Sequence, residues 1–167
     1  MKILLAGIGN PLRGDDAAGI VAVRGMSSEL RDTVTVLEVQ ADVTDLIEHL
    51  QGYDVAIIVD ATRSGSMPGT IHRFDASATS LVEGRGGLTT HGMSVGSAIE
   101  LARKQGAFPR KVLVFGIEAS QFIHGAAMSP EVKEAIQTVH TLIRKELDSS
   151  VGVSPSAPFA GASPKCL

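Results

Sequence analysis

A single cysteine, Cys166, is all the thiol chemistry the chain has. That excludes a disulfide framework and a cysteine-rich metal site, and it makes a cytoplasmic location the default expectation. Tryptophan is absent, and the aromatic residues are five Phe and one Tyr. A base-stacking platform for nucleic acid is therefore not expected. Neither sign of charge dominates: 15 Lys and Arg face 18 Asp and Glu, a formal charge of −3. That balance argues against a general nucleic-acid binder. No apolar run approaches the roughly 20 residues of a membrane helix. The N-terminus goes straight into a strand-like run, without a basic segment and small-residue cleavage site, so no secretory leader is expected. What is present is ordinary: 44% hydrophobic and 20% charged residues over 167 positions, which suits one soluble domain with a sizeable core.

The stretch that organises the rest is Gly7-Ile8-Gly9-Asn10-Pro11-Leu12-Arg13-Gly14-Asp15-Asp16, with Gly19 just beyond. It follows the apolar run Ile3-Leu4-Leu5-Ala6. It precedes Ala17, Ala18, Ile20, Val21 and Val23, whose spacing suits one face of a helix. This is a tight strand-to-helix turn. Its glycines permit backbone angles that other residues resist, and they let a ligand approach the main chain. Asp15 and Asp16 fall at the helix start. One carboxylate there suffices to cap the helix and complement its dipole, which leaves the second to point into the crevice above the sheet.

The chain then reads as strand Lys2–Ile8, helix Asp16–Ser28, a second strand through Val34 and Val36 ending near Glu38, and a helix from Asp42 closed by Gly52. Val55–Val59 is the most strand-like run and ends at Asp60. This βαβαβ rhythm means parallel strands with right-handed crossovers, and the unbroken apolar runs mean that both sheet faces are covered. Thr70–Phe74 alternates with polar residues and is placed at a sheet edge, with an antiparallel direction allowed. Asp75–Leu88 reads as an exposed loop, Thr89-Thr90-His91-Gly92 as the opening of a third helix to about Lys104, and Lys111–Ile117 as the last strand. Ser129-Pro130-Glu131 starts a final helix that ends near Asp148. Residues 149–167 are rich in Ser, Pro, Gly and Ala and are expected to form a disordered tail. The expected fold is a single α/β domain over 1–148: a three-layer sandwich with a mostly parallel twisted sheet of about five strands and helices on both faces.

In open α/β sheets ligands bind beyond the carboxyl ends of the strands, where strand order reverses. In the common order 2-1-3-4-5 that point lies between strands one and three. Asp16 follows strand one and Asp60 ends strand three, so the two carboxylates are expected to share one crevice. His91, at an expected helix start, is the third candidate, since a helix N-terminus favours the neutral, metal-binding imidazole. His49, His72 and His140 read as ordinary exposed or half-buried residues. Two carboxylates and an imidazole could hold nickel, zinc, iron or manganese. Without a metal, the two carboxylates could share a proton and activate water.

Gly7-x-Gly9 also resembles a dinucleotide fingerprint, with Glu38 as the ribose acid. Its third glycine position holds Leu12, however, and Asp15 and Asp16 would repel a pyrophosphate at that helix start. Gly9-Asn10-Pro11 is similar to peptidyl-tRNA hydrolases, but those carry a histidine shortly after the turn and a basic surface. Taken together, Gly7-Ile8-Gly9-Asn10, Gly14-Asp15-Asp16 with Gly19, Ile58-Val59-Asp60-Ala61, Thr90-His91-Gly92 and Gly116-Ile117-Glu118 resemble the hydrogenase maturation endopeptidases. The matches run in order from about Ile3 to Leu147.

The resemblance implies a phosphorylase/hydrolase-like fold. It implies an endopeptidase that removes a short C-terminal extension from the large-subunit precursor of a nickel–iron hydrogenase after nickel insertion. It places the metal-contacting residues on Asp16, Asp60 and His91. The family often has glutamate where Asp16 stands. It implies that the nickel comes with the substrate, so that isolated protein is metal-free or holds a surrogate divalent ion. A monomer that contacts neither nucleic acid nor membrane is expected. Glu118 and the loop to His124 follow the last strand and are placed near the same cleft.

Overall fold

The computed structural model describes residues 1–30, 32–40, 42–77, 94–106 and 108–151. Its elements, in chain order, are β1 (Ile3–Ile8), α1 (Ala18–Met26), β2 (Val34–Val39), α2 (Thr44–His49), β3 (Val55–Thr62), β4 (Ile71–Asp75), α3 (Val95–Lys104), β5 (Lys111–Glu118) and α4 (Pro130–Val151). The five strands form one sheet in the order β2-β1-β3-β5-β4. All neighbours are parallel except β4, which runs antiparallel to β5 at the edge.

Alternation along the strands builds the two outer layers. Ile3 and Leu5 of β1 and Val55, Ile57 and Val59 of β3 point to one face, where they meet Ala22 and Val23 of α1 and Val132, Ile136 and Val139 of α4. Leu4, Ala6, Ala56, Ile58, Val112 and Val114 point to the other, against Leu46 and Ile47 of α2 and Ala98 and Ile99 of α3. The three-layer α/β sandwich read from the sequence is what forms. Among the described residues no helix is long and apolar enough to cross a membrane.

Several expectations are corrected. The outer strands stand in the order β5-β4 rather than 4-5, because the apolar β5 takes the interior place beside β3 and leaves the alternating β4 outside. Asp15 and Asp16 lie in a 3-10 turn, Gly14–Ala17, ahead of α1 rather than within its first turn. The third helix is capped by Ser94, whose side chain accepts from the Ser97 N–H at 3.1 Å; the expected opening at residues 89–92 lies outside the described residues. The final helix runs to Val151, past the expected end at Asp148. The tail from 152 and the loop residues 78–93 lie outside the described residues.

Close approach of α1 to β1 and β3 explains the glycine at 19. A Cβ there would overlap the carbonyl oxygens of both Ile8 and Val59. Gly19→Ala is expected to push α1 off the sheet and cost about 3 kcal/mol. Urea unfolding against the wild type measures it, and an unchanged midpoint would contradict this packing.

Candidate active site

The turn after β1 is fixed by its own backbone. Gly9 holds φ at +145°, and a Cβ on it would overlap the Asp16 carbonyl oxygen. That oxygen accepts the Asn10 N–H at 3.2 Å. The Asn10 carbonyl accepts from the Arg13 N–H at 3.1 Å, and the Asn10 side chain accepts from the Leu12 N–H at 2.9 Å. The glycines therefore serve helix-to-strand contact within the protein, and the turn they permit delivers Asp16 to the switch point.

Asp60 arrives there by a different route. β1 pairs with β3 only as far as Gly7 opposite Val59. Pairing with β5 continues through Asp60, Ala61 and Thr62. Asp60 is thus inside β3 rather than at its end, and it is the first β3 residue beyond the reach of β1. It is fully buried, and Asp16 is nearly so.

Burial is the main reason that the Asp60 carboxyl is pushed up to about 8. The negative charge of Asp16 adds to it, and the adjacent Ala61 amide opposes both too weakly to offset them. Among the described residues neither Asp60 oxygen has a hydrogen-bond partner. A buried carboxyl with so little donor support is costly for stability, and such groups concentrate at sites of chemistry. Arg13 stands at the rim with its guanidinium 3.7 Å from Asp16.

Asp15 does something else. It is completely buried, and its side chain makes no cap to its own helix. It accepts the N–H groups of Ser120 (2.8 Å), Gln121 (3.1 Å) and Ser129 (2.7 Å), and the Ser129 hydroxyl at 3.0 Å. The Ser129 carbonyl receives the Lys133 N–H at 3.1 Å, so Asp15 fastens the start of α4. Asp15 is thus a structural acid, but it ties the β5–α4 loop to the glycine turn instead of capping its own helix. Sequence reading had no signal for that partner, which lies more than a hundred residues away.

Glu118 is buried at the end of β5. Burial alone would raise its carboxyl. The Ser64 hydroxyl and the Ser64 and Gly65 N–H groups, at 2.8 to 2.9 Å, and His72 at 3.4 Å outweigh that and hold it below the usual range. Glu118 therefore organises the loop after β3. His124 is exposed. His140 is buried rather than half-buried, its Nε2 2.8 Å from the Ala22 carbonyl. Glu38 is paired with Arg24 at 2.6 Å, so a salt bridge already engages the carboxylate that a ribose would need.

Among the described residues no three His, Cys, Asp or Glu side chains gather to hold a metal. His91 lies outside the described residues. The two open oxygens of Asp60 nevertheless suit a divalent cation, whose charge would replace the proton that burial forces on the carboxyl.

Comparison with known proteins bears on the family. The family model described as hydrogenase maturation protease matches residues 22–146. The hydrogenase expression/formation protein HupD of Thiocapsa roseopersicina is 26% identical over 138 residues, which are 81% of this chain and 62% of HupD. The chain thus spans less than two thirds of that relative. The hydrogenase 2 maturation protease of Escherichia coli K12 is 26% identical over 141 residues, 82% of this chain and 85% of that protein. The solution structure of an endopeptidase from Escherichia coli superposes with a TM-score of 0.80 at 25% identity, covering 92% of this chain and 95% of that one. With the sheet, the switch point and its acids already in place, the match over residues 22–146 settles the kinship: the chain belongs to the hydrogenase maturation protease family.

Proposed function

We propose that the protein is an endopeptidase that removes the C-terminal extension of a nickel–iron hydrogenase large-subunit precursor once nickel is in place. The observation that carries this reading is the buried Asp16–Asp60 pair at the switch point, with both Asp60 oxygens open among the described residues. Asp16, Asp60 and His91 would grip the nickel carried by the substrate and set one peptide bond beside it. The ion polarises a carbonyl, or a carboxylate takes a proton from water. Either way water oxygen bonds to the carbonyl carbon, the C–N bond breaks, and the amine leaves with a proton.

Since Asp60 holds a proton at neutral pH, gripping a cation means releasing it. Cation affinity is therefore expected to rise with pH up to about 8 and then level off.

The test is intact-mass measurement of a nickel-loaded large-subunit precursor incubated with the purified protein. Loss of one C-terminal peptide is expected, from nickel-loaded precursor and not from nickel-free precursor. Unchanged mass despite nickel binding would replace this reading with an assembly chaperone. A rise in melting temperature on adding nucleotide would favour a nucleotide-binding module instead.

A further inference from the structure

Phe122, in the loop after β5, carries two cations. The Arg13 guanidinium carbon lies 5.8 Å from its ring centroid and that of Arg63 lies 5.1 Å away. Arg13 comes from the glycine turn, and Arg63 directly follows β3. The ring itself is half-buried against the α1/α4 layer, so it is a firm support. Arg13 is drawn towards Asp16 at 3.7 Å. Arg63 is exposed, and among the described residues it has no acid within ion-pair distance, whereas Arg24, Arg73 and Arg144 each pair with one at 2.6 to 2.8 Å.

Two guanidiniums held at one ring repel each other, and a neighbouring anion relieves that repulsion. The planar fork of arginine matches a carboxylate with two parallel hydrogen bonds. Stacking on Phe122 holds the fork in advance, which lowers the ordering cost of binding. The crevice beneath is acidic, so a carboxylate is excluded from Asp16 and Asp60 and is accepted only at this rim. Leu12 and Ile123 flank the rim, 65% and 61% exposed, and the Gly125 N–H holds their loops together on the Leu12 carbonyl at 2.8 Å. They offer apolar contact to a chain lying across them.

We infer that Arg63 and Arg13, supported by Phe122, form a subsite for a carboxylate of the peptide substrate, placed outside the acidic crevice. This rests on the peptidase reading above. The subsite orients the peptide: its anion stays at the rim, and the cation-bearing segment enters between the acids. The carboxylate is either an Asp or Glu side chain of the extension or the chain terminus.

The probe is a fluorescently labelled synthetic peptide with the sequence of the precursor extension, titrated by anisotropy against the full chain. Arg63→Gln is expected to weaken binding about tenfold, and Arg63→Lys to recover part of the loss. On the wild type, amidating the peptide terminus or changing its Asp and Glu to Asn and Gln should cost the same factor. Whichever change does so names the source, and Arg63→Gln should then add nothing further. Equal affinity of wild type and Arg63→Gln for the unmodified peptide overturns the subsite. So does an equal loss with a peptide carrying both modifications, or no binding of the unmodified peptide. Precursor cleavage in parallel separates the two claims. Intact cleavage with an unchanged KM in Arg63→Gln removes the subsite alone. Peptide binding that depends on Arg63 without any cleavage removes the peptidase reading alone.

Discussion

Asp60→Asn is expected to abolish precursor cleavage, by about 10³-fold or more, while making the protein harder to unfold at neutral pH. The two effects have one cause. In the unfolded chain an aspartate ionises near pH 3.9. In the folded protein Asp60 does so at about 8, because burial and the Asp16 charge both disfavour the anion. Below pH 3.9 the group is protonated in both states and costs nothing by titration. As pH rises from there to 8, folding must take up a proton that the unfolded chain has released, and stability falls by about 1.4 kcal/mol per pH unit. At pH 7 that amounts to about 4 kcal/mol. Asparagine has nearly the same shape and no charge, so it escapes this penalty, less about 1–3 kcal/mol for burying an unpaired amide. A melting temperature higher by about 5 °C at pH 7 follows. The gain should shrink towards pH 4 and stop growing above pH 8. Melting curves at pH 4, 7 and 9 for both proteins check it. A variant less stable than wild type at pH 7, or a difference independent of pH, would mean that Asp60 is not held protonated.

Much of this site was legible before any coordinates, and the reason is topological. A βαβαβ rhythm makes β1 and β3 neighbours, so an acid after one and an acid late in the other must meet at the switch point. The Asp16 charge does act on Asp60 there. The order of β4 and β5 was legible in principle too. Val112–Ile117 is apolar throughout and needs a neighbour on both sides, whereas Ile71–Asp75 alternates and suits an edge. On that signal Thr70–Phe74 is placed at an edge, with an antiparallel direction allowed, and β4 stands there; only the common order 2-1-3-4-5 differs. The carboxyl shift on Asp60 was not legible, because it depends on how completely folding buries the group and on the Asp16 charge that folding brings near it. Nor was Phe122 as a seat for two arginines, since stacking leaves no mark in local spacing. The glycines were recognised as a turn, but not what their missing side chains admit within the fold, which is helix α1 and the Asp16 carbonyl.

Asp15→Ala is expected to be the most destabilising change among the acids. Four donors converge on this one buried carboxylate, three of them backbone N–H groups. Hydrogen bonds to a charged acceptor contribute about 1.5–3 kcal/mol each, and stranded buried donors cost about 1–3 kcal/mol apiece. Relaxation of the partly exposed loop lets some donors find water, so the loss is set at about 3–5 kcal/mol, a fall in melting temperature on the order of 10 °C. The damage should be local before it is global. Amide exchange at Ser120, Gln121 and Ser129 should quicken first, ahead of the β3–β5 core. The Ser120–Ser129 loop carries Phe122, and the same turn that holds Asp15 holds Arg13 and Asp16. Cleavage is therefore expected to fall with the clamp, although Asp15 touches no substrate. Asp15→Asn keeps one acceptor oxygen and should lie between. Exposed pairs set the scale for comparison: breaking Arg24–Glu38, 2.6 Å apart at the surface, should leave the melting temperature almost unchanged. If Asp15→Ala melts within 2 °C of wild type, the two adjacent acids do not divide into one that builds the turn and one that acts in the crevice.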